Sequence, residues 1–462
     1  MQEESFEWLV ASSNTLPSAS NDESRTRLQS WLVRHARWDR QSWRPDHLGD
    51  RLTFGLTYFN KLCEGAPTEF QSLFALALTR QARHLFRLRK IDRSVVDHFK
   101  IWRGGIVAAV HLPDFQHRLP EAIEGLETAI TKHVLPDGGH FSRNPHKHLE
   151  AIAELIHIRI ILTDACIDTP KFLQGAIDHM TPMLRAYQRA DGGLSLFNGS
   201  TEGDPATINL VLKLSESRAK RASNAPHTGF HRIGAHRTAI ILDAGNPVDL
   251  APLVPGHAGT LSFEMSIGPH RMIVNCGSVQ DSRGNHELRE ALRSTAAHST
   301  LTVANTHSSD LLTGGGLGDR RASNVEVRRY EKDRNILIEA SHNGYHDNFG
   351  LIHKRSLYLA RDGLDVRGED VLKSDVRTGQ IFDIRFHLHP EVRASLGAGG
   401  RVALIKLPTG RGWRFMASNG TMKLEESIYV GGNSMQRSQQ IVISGQHTQN
   451  QTVTKWRLAR EG

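Results

Sequence analysis

The sequence of 462 residues has no uninterrupted apolar run of the kind needed to cross a bilayer, which takes about 18 residues or more. Membrane insertion is therefore not expected. Cysteine is scarce. Cys63, Cys166 and Cys276 stand singly, which excludes a disulfide framework and a paired-thiol metal site, and each is expected to be a buried free thiol. The start, Met1-Gln2-Glu3-Glu4-Ser5, lacks the basic-then-apolar segment of a secretory leader. The run Thr313 to Gly318 (TGGGLG) lacks the lysine and hydroxyl residue of a phosphate loop and reads as a flexible connection. No tandem repeat is present.

What is present is length, basic charge and histidine. A chain of this size exceeds one ordinary core, so two domains are expected. The formal charge of +8 and the 26 histidines suit a polyanionic ligand. The excess is too modest to point to nucleic acid, which is not expected as a partner.

The first half has helical periodicity. Glu69 to Lys90 carries Phe70, Phe74 and Ala77 at helical spacing. Arg80, Arg83, Arg87 and Lys90 share one face, either a solvated face or the wall of a groove for an acidic substrate. Glu121 to Val134 repeats the pattern. After the turn Asp137-Gly138-Gly139, Asn144 and Pro145 suit an N-cap and a first helical position. They open a helix to about Cys166 that buries Leu149, Ile152, Ile156 and Ile160. A further helix fits Lys171 to Gln188, bent or broken at Pro182. The polar stretch 215–226 (SESRAKRASNAP) reads as a linker. Beyond it alternation takes over: Leu261, Phe263, Met265 and Ile267; Ile384, Phe386 and Leu388; and Asp362-Gly363 as a hairpin turn. The expected fold is α+β in two domains. Residues 1–214 form an incomplete (α/α) toroid, 215–226 a linker, and 227–462 a large antiparallel β-sandwich.

Several strings together resemble the heparinase II/III-like family of polysaccharide lyases. Gly256-His257-Ala258-Gly259-Thr260-Leu261-Ser262-Phe263-Glu264 is similar to that family's His-Ala-Asp-x-x-Ser-Phe segment. It is followed by Ile273-Val274-Asn275-Cys276-Gly277. Arg293-Ser294-Thr295-Ala296-Ala297-His298-Ser299-Thr300 is similar to Arg-x-Thr-x-x-His-Asn-Thr. Asp137-Gly138-Gly139-His140-Phe141-Ser142-Arg143-Asn144-Pro145 resembles the family's Asp-Gly-x-x-Phe-Glu-x-Ser-Pro turn. Phe349 to Arg355 and Arg385 to Pro390 fit as well.

The resemblance implies β-elimination on a uronic-acid-containing polysaccharide in a cleft between the two domains. It also implies work in the periplasm or cell envelope, or in the cytoplasm if the missing leader is genuine. A neutralising group must stabilise the enolate that forms when the C5 proton leaves, and a base must take that proton. The family's catalytic tyrosine position holds Lys147 here, with His148 beside it. No asparagine lies near 95–98, where the family's neutralising residue belongs, so His98 and His140 are the substitutes considered. The catalytic candidates are thus His140, Lys147 and His257. The substrate-binding candidates are His98, Asn144, His148, Arg80 and Arg83, with Asn144 also read as a helix cap. No cofactor is required. A structural zinc ion is an option because His257 and His298 match two family ligands, although Asn275 stands at the aspartate position and Pro255 where some members carry a catalytic histidine. His257 and His298 also suit a hydrogen-bonded pair joining two strands. Two alternatives stay open: a catalytically impaired protein that binds acidic glycans, and a toroid glycoside hydrolase drawing on Asp137, Glu150, Asp191, Glu202 or Asp204. Oligomeric state is not legible.

Overall fold

The computed structural model describes residues 5–6, 9, 19–88, 98–251, 254–279, 286–375, 379–397, 399–432 and 434–461. Two compact units result. One comprises residues 1–133 and 151–177, the other 134–150 and 178–462. No helix among the described residues is long and apolar enough to cross a membrane. All three cysteines are free, but only Cys276 is buried; Cys166 is exposed and Cys63 half-buried, against the expectation of three buried thiols.

The first unit is helical, with α1 (Ala19–Arg34), α2 (Pro45–Thr57), α3 (Phe59–Cys63), α4 (Thr68–Arg87), α5 (His98–His111) and α6 (Leu119–His133). The apolar stripe of α4 buries Phe70, Phe74, Leu78 and Leu85 in a core shared with Leu48, Leu52 and Ile101. Arg80, Arg83 and Arg87 are exposed on α4, and Lys90 lies outside the described residues. Helices α2 and α5 cross closely at two glycines, where a Cβ on Gly104 would stand 2.4 Å from the Gly49 Cα. Beside that crossing, buried Arg103 reaches Asp50 and Glu154, each at 2.5 Å.

Helix α7 (Pro145–Asp164) starts at the expected proline. Leu149, Ile152 and Ile156 are buried as expected, but Ile160 is 38% exposed, and Ile158 and Leu162 are inside instead. Helix α8 (Lys171–Tyr187) continues through Pro182 without a break. The sequence reading missed α9 (Pro205–Leu214), although Asp204 caps it by accepting from the Ala206 and Thr207 amides and Pro205 stands at its first turn.

The second unit holds two antiparallel sheets. In the first the order is β1 (Asn224–Ala225), β2 (Phe230–Ala235), β3 (Thr238–Asp243), β4 (Phe263–Ile267), β5 (His270–Val274), β11 (Ile381–Leu388), β16 (Gln436–Gln446) and β15 (Thr421–Tyr429), with β6 (Leu301–Val303) also beside β11. In the second it is β12 (Arg393–Leu396), β13 (Val402–Lys406), β14 (Gly412–Ala417), β17 (Gln451–Arg460), β10 (Asp365–Lys373), β9 (Leu351–Leu359), β8 (Asn335–Tyr345) and β7 (Glu326–Lys332). Their inner faces share one core. Trp456 stacks on Phe263 at 5.6 Å and meets Phe386 edge-on at 5.0 Å. A helical region followed by a large antiparallel sandwich is the architecture the sequence pattern led us to expect.

Three local expectations give way. Strand β4 is buried on both faces, not one, because Glu264 accepts hydrogen bonds from the Leu196 and Asn275 amides at 3.1 and 3.3 Å. The stretch 215–226 is pinned: Arg185 donates to Ser217 O, Arg329 to Ser223 O, and the Ala222 amide to Pro182 O. The glycine run 313–318 is held too, since buried Arg293 donates to Gly256 O, Leu312 O and Gly316 O at 2.8, 2.9 and 2.6 Å. A short helix, α10 (His286–Arg293), delivers that arginine.

Candidate functional site

Helix α7 begins with a full cap. The Asn144 Oδ1 accepts from the Lys147 amide at 3.0 Å, and its Nδ2 donates to Asn198 O at 2.8 Å. Of the two roles considered for Asn144, the structure places it in the cap, where its side chain is buried and committed. The loop that Asn144 holds carries Gly199 in the left-handed region, at φ +80. A Cβ there would lie 3.1 Å from His257 Nε2 and 3.6 Å from Asn144 Nδ2. The cap of a helix and a histidine of the sandwich sequence thus meet on one loop, inside the second unit.

His298 Nδ1 sits 2.7 Å from Ser294 O and must carry the proton, which leaves Nε2 as acceptor. His257 Nδ1 lies 3.3 Å from that nitrogen, and His257 turns its Nε2 edge toward Gly199. Burial lowers both histidines, His298 to about 4 and His257 well below its ordinary value with His298 and Arg293 adding to the effect. Both rings are neutral near pH 7.

The first turn of α7 presents a half-exposed charged patch. Lys147 Nζ lies 2.6 Å from Glu150 Oε2, and His146 Nε2 lies 3.5 Å from Glu150 Oε1. Thr201 Oγ1 is 3.3 Å from His146 Nδ1, and the His146 amide donates to Ser200 Oγ at 3.2 Å. Burial raises the Glu150 carboxyl, but Lys147 and His146 together pull it below the usual carboxylate range. The patch therefore holds an ionised glutamate between an ammonium group and an imidazole. The ammonium can neutralise a substrate carboxylate, and the imidazole can exchange a proton within hydrogen-bonding reach. His146 was not among the sequence candidates, and Glu150 only as a hydrolytic carboxylate. Their i, i+4 spacing was the available signal.

Two histidines are withdrawn. His148 is 0% exposed; its Nδ1 accepts from the His140 amide at 3.1 Å and its Nε2 meets Met180 O at 3.0 Å, so it cannot touch substrate. His140 is buried with Nδ1 2.7 Å from Ser142 Oγ, ordering the turn before α7. His98 opens α5 in the first unit, its ring edge-on to His133 at 4.6 Å, and Arg80 and Arg83 belong to that unit as well.

The residues present do not fit a zinc ion. Asn275 accepts from the Ser299 amide at 3.0 Å and donates to Leu196 O at 3.1 Å, tying both ends of its amide to backbone. His298 has both nitrogens in use. Among the described residues no group of three or more histidine, cysteine, aspartate or glutamate side chains could hold a metal. The His257–His298 pair is hydrogen-bonded as expected, but it ties two loop segments, before β4 and before β6, and not two strands.

Three of the hydrolytic candidates, Asp137, Asp191 and Asp204, are likewise structural, while Glu150 belongs to the patch on α7 and Glu202 accepts from the Tyr429 hydroxyl. Asp137 accepts from the Thr228 and Gly139 amides, Asp191 from the Gly193 amide and Arg271, and Asp204 caps α9.

Residues 22–189 match the model of the heparinase II/III N-terminus, and residues 217–457 that of the heparinase II/III-like C-terminal region. The chain belongs to the heparinase II/III-like family. Among solved members of this fold, heparinase III superposes with a TM-score of 0.79 at 12% identity, over 99% of this chain and 77% of that one. A mutant of the heparan sulfate lyase HepC from Pedobacter heparinus gives 0.71 at 18% identity, over 99% and 76%. In sequence, the FtsZ-localized protein C of Caulobacter vibrioides (strain NA1000 / CB15N) is 27% identical over 476 residues, covering 98% of this chain and 81% of its own. The family's signature residues have structural work in this chain. Arg293 pins the glycine run, and Asn275 and His298 tie loop segments together. Arg355 donates to Asp370 at 2.8 Å and to Leu261 O and Ser299 O, each at 2.8 Å.

Proposed function

We propose that this protein is a polysaccharide lyase that cleaves an acidic, uronic-acid-containing polysaccharide by β-elimination. The observation that carries the reading is the His146–Lys147–Glu150 patch, set on the Asn144-Pro145 turn that corresponds to the family's Ser-Pro turn, with Lys147 at the position of the family tyrosine. In this reading Lys147 draws in and neutralises the uronate carboxylate. His146, oriented by Thr201 and Glu150, takes the C5 proton and passes it to the departing O4 as the C4–O4 bond breaks and the C4–C5 double bond forms. No metal is needed for that step, and the location that goes with it is the periplasm or cell envelope. The decisive assay follows near-ultraviolet absorbance of the unsaturated uronate over a panel of acidic polysaccharides. His146→Gln and Lys147→Ala should each lower turnover by about a hundredfold or more. Full turnover by both variants would remove the assignment.

A second reading has its own observation. His148 is sealed, Asn144 serves a cap, and a relative that aligns with nearly the whole chain bears a name that refers to FtsZ. A member of the fold that binds acidic glycan or a division-protein partner without cleaving would accord with those facts. Binding with no unsaturated product across the panel selects it.

A further inference from the structure

A pocket of about 470 Å³ opens in the second unit, and none of its walls is shared with the His146–Lys147–Glu150 patch. Its apolar lining comes from Leu292, Ala297, Ile428 and Met435. Three of its polar residues are arranged for chemistry. Ser427 Oγ lies 2.8 Å from His387 Nδ1, and His387 Nε2 lies 2.9 Å from Ala296 O. A carbonyl can only accept, so Nε2 carries the proton and Nδ1 is the lone pair that receives the Ser427 hydroxyl. Ser438 is the Cα partner of Ser427 on the neighbouring strand, and its hydroxyl is buried with no hydrogen-bond partner. A buried, unpaired donor beside a paired serine and histidine has no role in holding the strands together.

We propose that this pocket is a second, acyl-transfer site that hydrolyses short-chain carboxylic esters, with Ser427 as nucleophile, His387 as base and Ser438 as oxyanion donor. Ser427 Oγ attacks the ester carbonyl carbon while its proton passes to His387 Nδ1. The oxyanion takes the Ser438 hydroxyl. Collapse breaks the ester C–O bond, and the Nδ1 proton leaves with the alcohol. Water then attacks the acyl-serine, again giving its proton to Nδ1, and the carboxylic acid and free Ser427 are released. The alanine and leucine walls suit a small acyl chain, and Arg437 lines the same pocket. Burial holds the His387 ring down to about 3, so the ring is neutral near pH 7 with Nδ1 unprotonated. Cys276 Sγ stands 3.5 Å from the same Nδ1 and burial pushes its thiol up to about 12, while Ser427 Oγ at 2.8 Å makes the shorter bond to that nitrogen and is the nucleophile by position.

The test treats the full chain with a fluorophosphonate probe and with p-nitrophenyl acetate. One label per chain is expected on Ser427, located by peptide mass. Ser427→Ala should abolish both label and hydrolysis, Cys276→Ala should leave both within about twofold, and Ser438→Ala should slow hydrolysis about tenfold or more. Absence of label in the folded protein, or wild-type hydrolysis by a Ser427→Ala variant with an unchanged melting temperature, overturns the proposal. A Ser438→Ala variant hydrolysing at the wild-type rate overturns the oxyanion assignment.

Discussion

Lowering the pH from 7.5 to 5.5 should strip this protein of much of its stability, because its second unit buries neutral histidines. Burial depresses His148, His231 and His298 to about 4 and His387 to about 3. Each is at most 4% exposed, so solvent does not screen the effect. In the unfolded chain each returns to its ordinary value near 6.5. Between the folded and unfolded values the unfolded state binds more protons, so stability rises with pH through that window and falls as pH drops below about 6.5. At pH 5.5 one such histidine favours unfolding by about 1.4 kcal/mol, and the four together by about 5–6 kcal/mol. Typical total stabilities are about 5–15 kcal/mol, so the change is a large share. Depressed carboxylates such as Asp370, held ionised by Arg355 and His353 against the effect of burial, act at lower pH and stay out of this window.

Urea unfolding at pH 7.5, 6.5 and 5.5 reads the effect directly. The midpoint should fall steeply over the last unit, and calorimetry in two buffers of different ionisation enthalpy should register about three to four protons taken up on unfolding at pH 5.5. A midpoint that stays level from 7.5 to 5.5 would refute the argument, since it requires that these rings be protonated in the folded state or not buried at all.

Two further perturbations address the signature arginines. Arg355→Leu leaves the Asp370 carboxylate with His353 and the Trp456 indole as partners but no cation, and should destabilise the second unit by about 3–5 kcal/mol in urea unfolding; a loss under about 1 kcal/mol would show that the pair is not needed. Arg293→Ala removes the donor shared by Gly256 O, Leu312 O and Gly316 O, so amide exchange and proteolytic nicking should rise within 312–316. Unchanged protection there would mean that backbone bonds, among them the Leu312 amide to Gly316 O and the Gly256 amide to Gly315 O, hold the loop without the arginine.

Much of the fold could be read from periodicity, because helix and strand spacing report burial on one face. Phe70 and Phe74 on α4 and the inward Phe263, Met265, Phe386 and Leu388 are of that kind, while Ala77, expected in the same stripe, is only half-buried and Leu78 takes the inner position. What periodicity could not show was burial that depends on residues far along the chain. Glu264 is polar and reads as outward, yet it is inside because Leu196 and Asn275 bring their amides to it. The stretch 215–226 reads as a linker because it is polar, but its carbonyls and amides are taken up by Arg185, Arg329 and Pro182 O. Helix α10 is eight residues long, too short for its pattern to stand out from the loops around it.

The site shows the same division more sharply. A motif residue is recognisable whatever it does, and in this chain most of the recognisable residues hold the scaffold. Arg293, Arg355, Asn275, His298 and His148 all have their polar atoms committed to backbone or to other buried groups. The resemblance therefore identifies the fold with little ambiguity while saying less about chemistry. Residues able to meet a substrate must keep some exposure and an exchangeable proton. On the capped turn of α7 those are His146, Lys147 and Glu150, with side chains 21–33% exposed. Of these, Lys147 stands where the family pattern has tyrosine. In a catalytic protein of this kind the neutralising cation departs from the family pattern, and a substitution at His146 separates that case from an inert scaffold more cleanly than one at His257 or His298, whose removal would also break the bond that ties two loops.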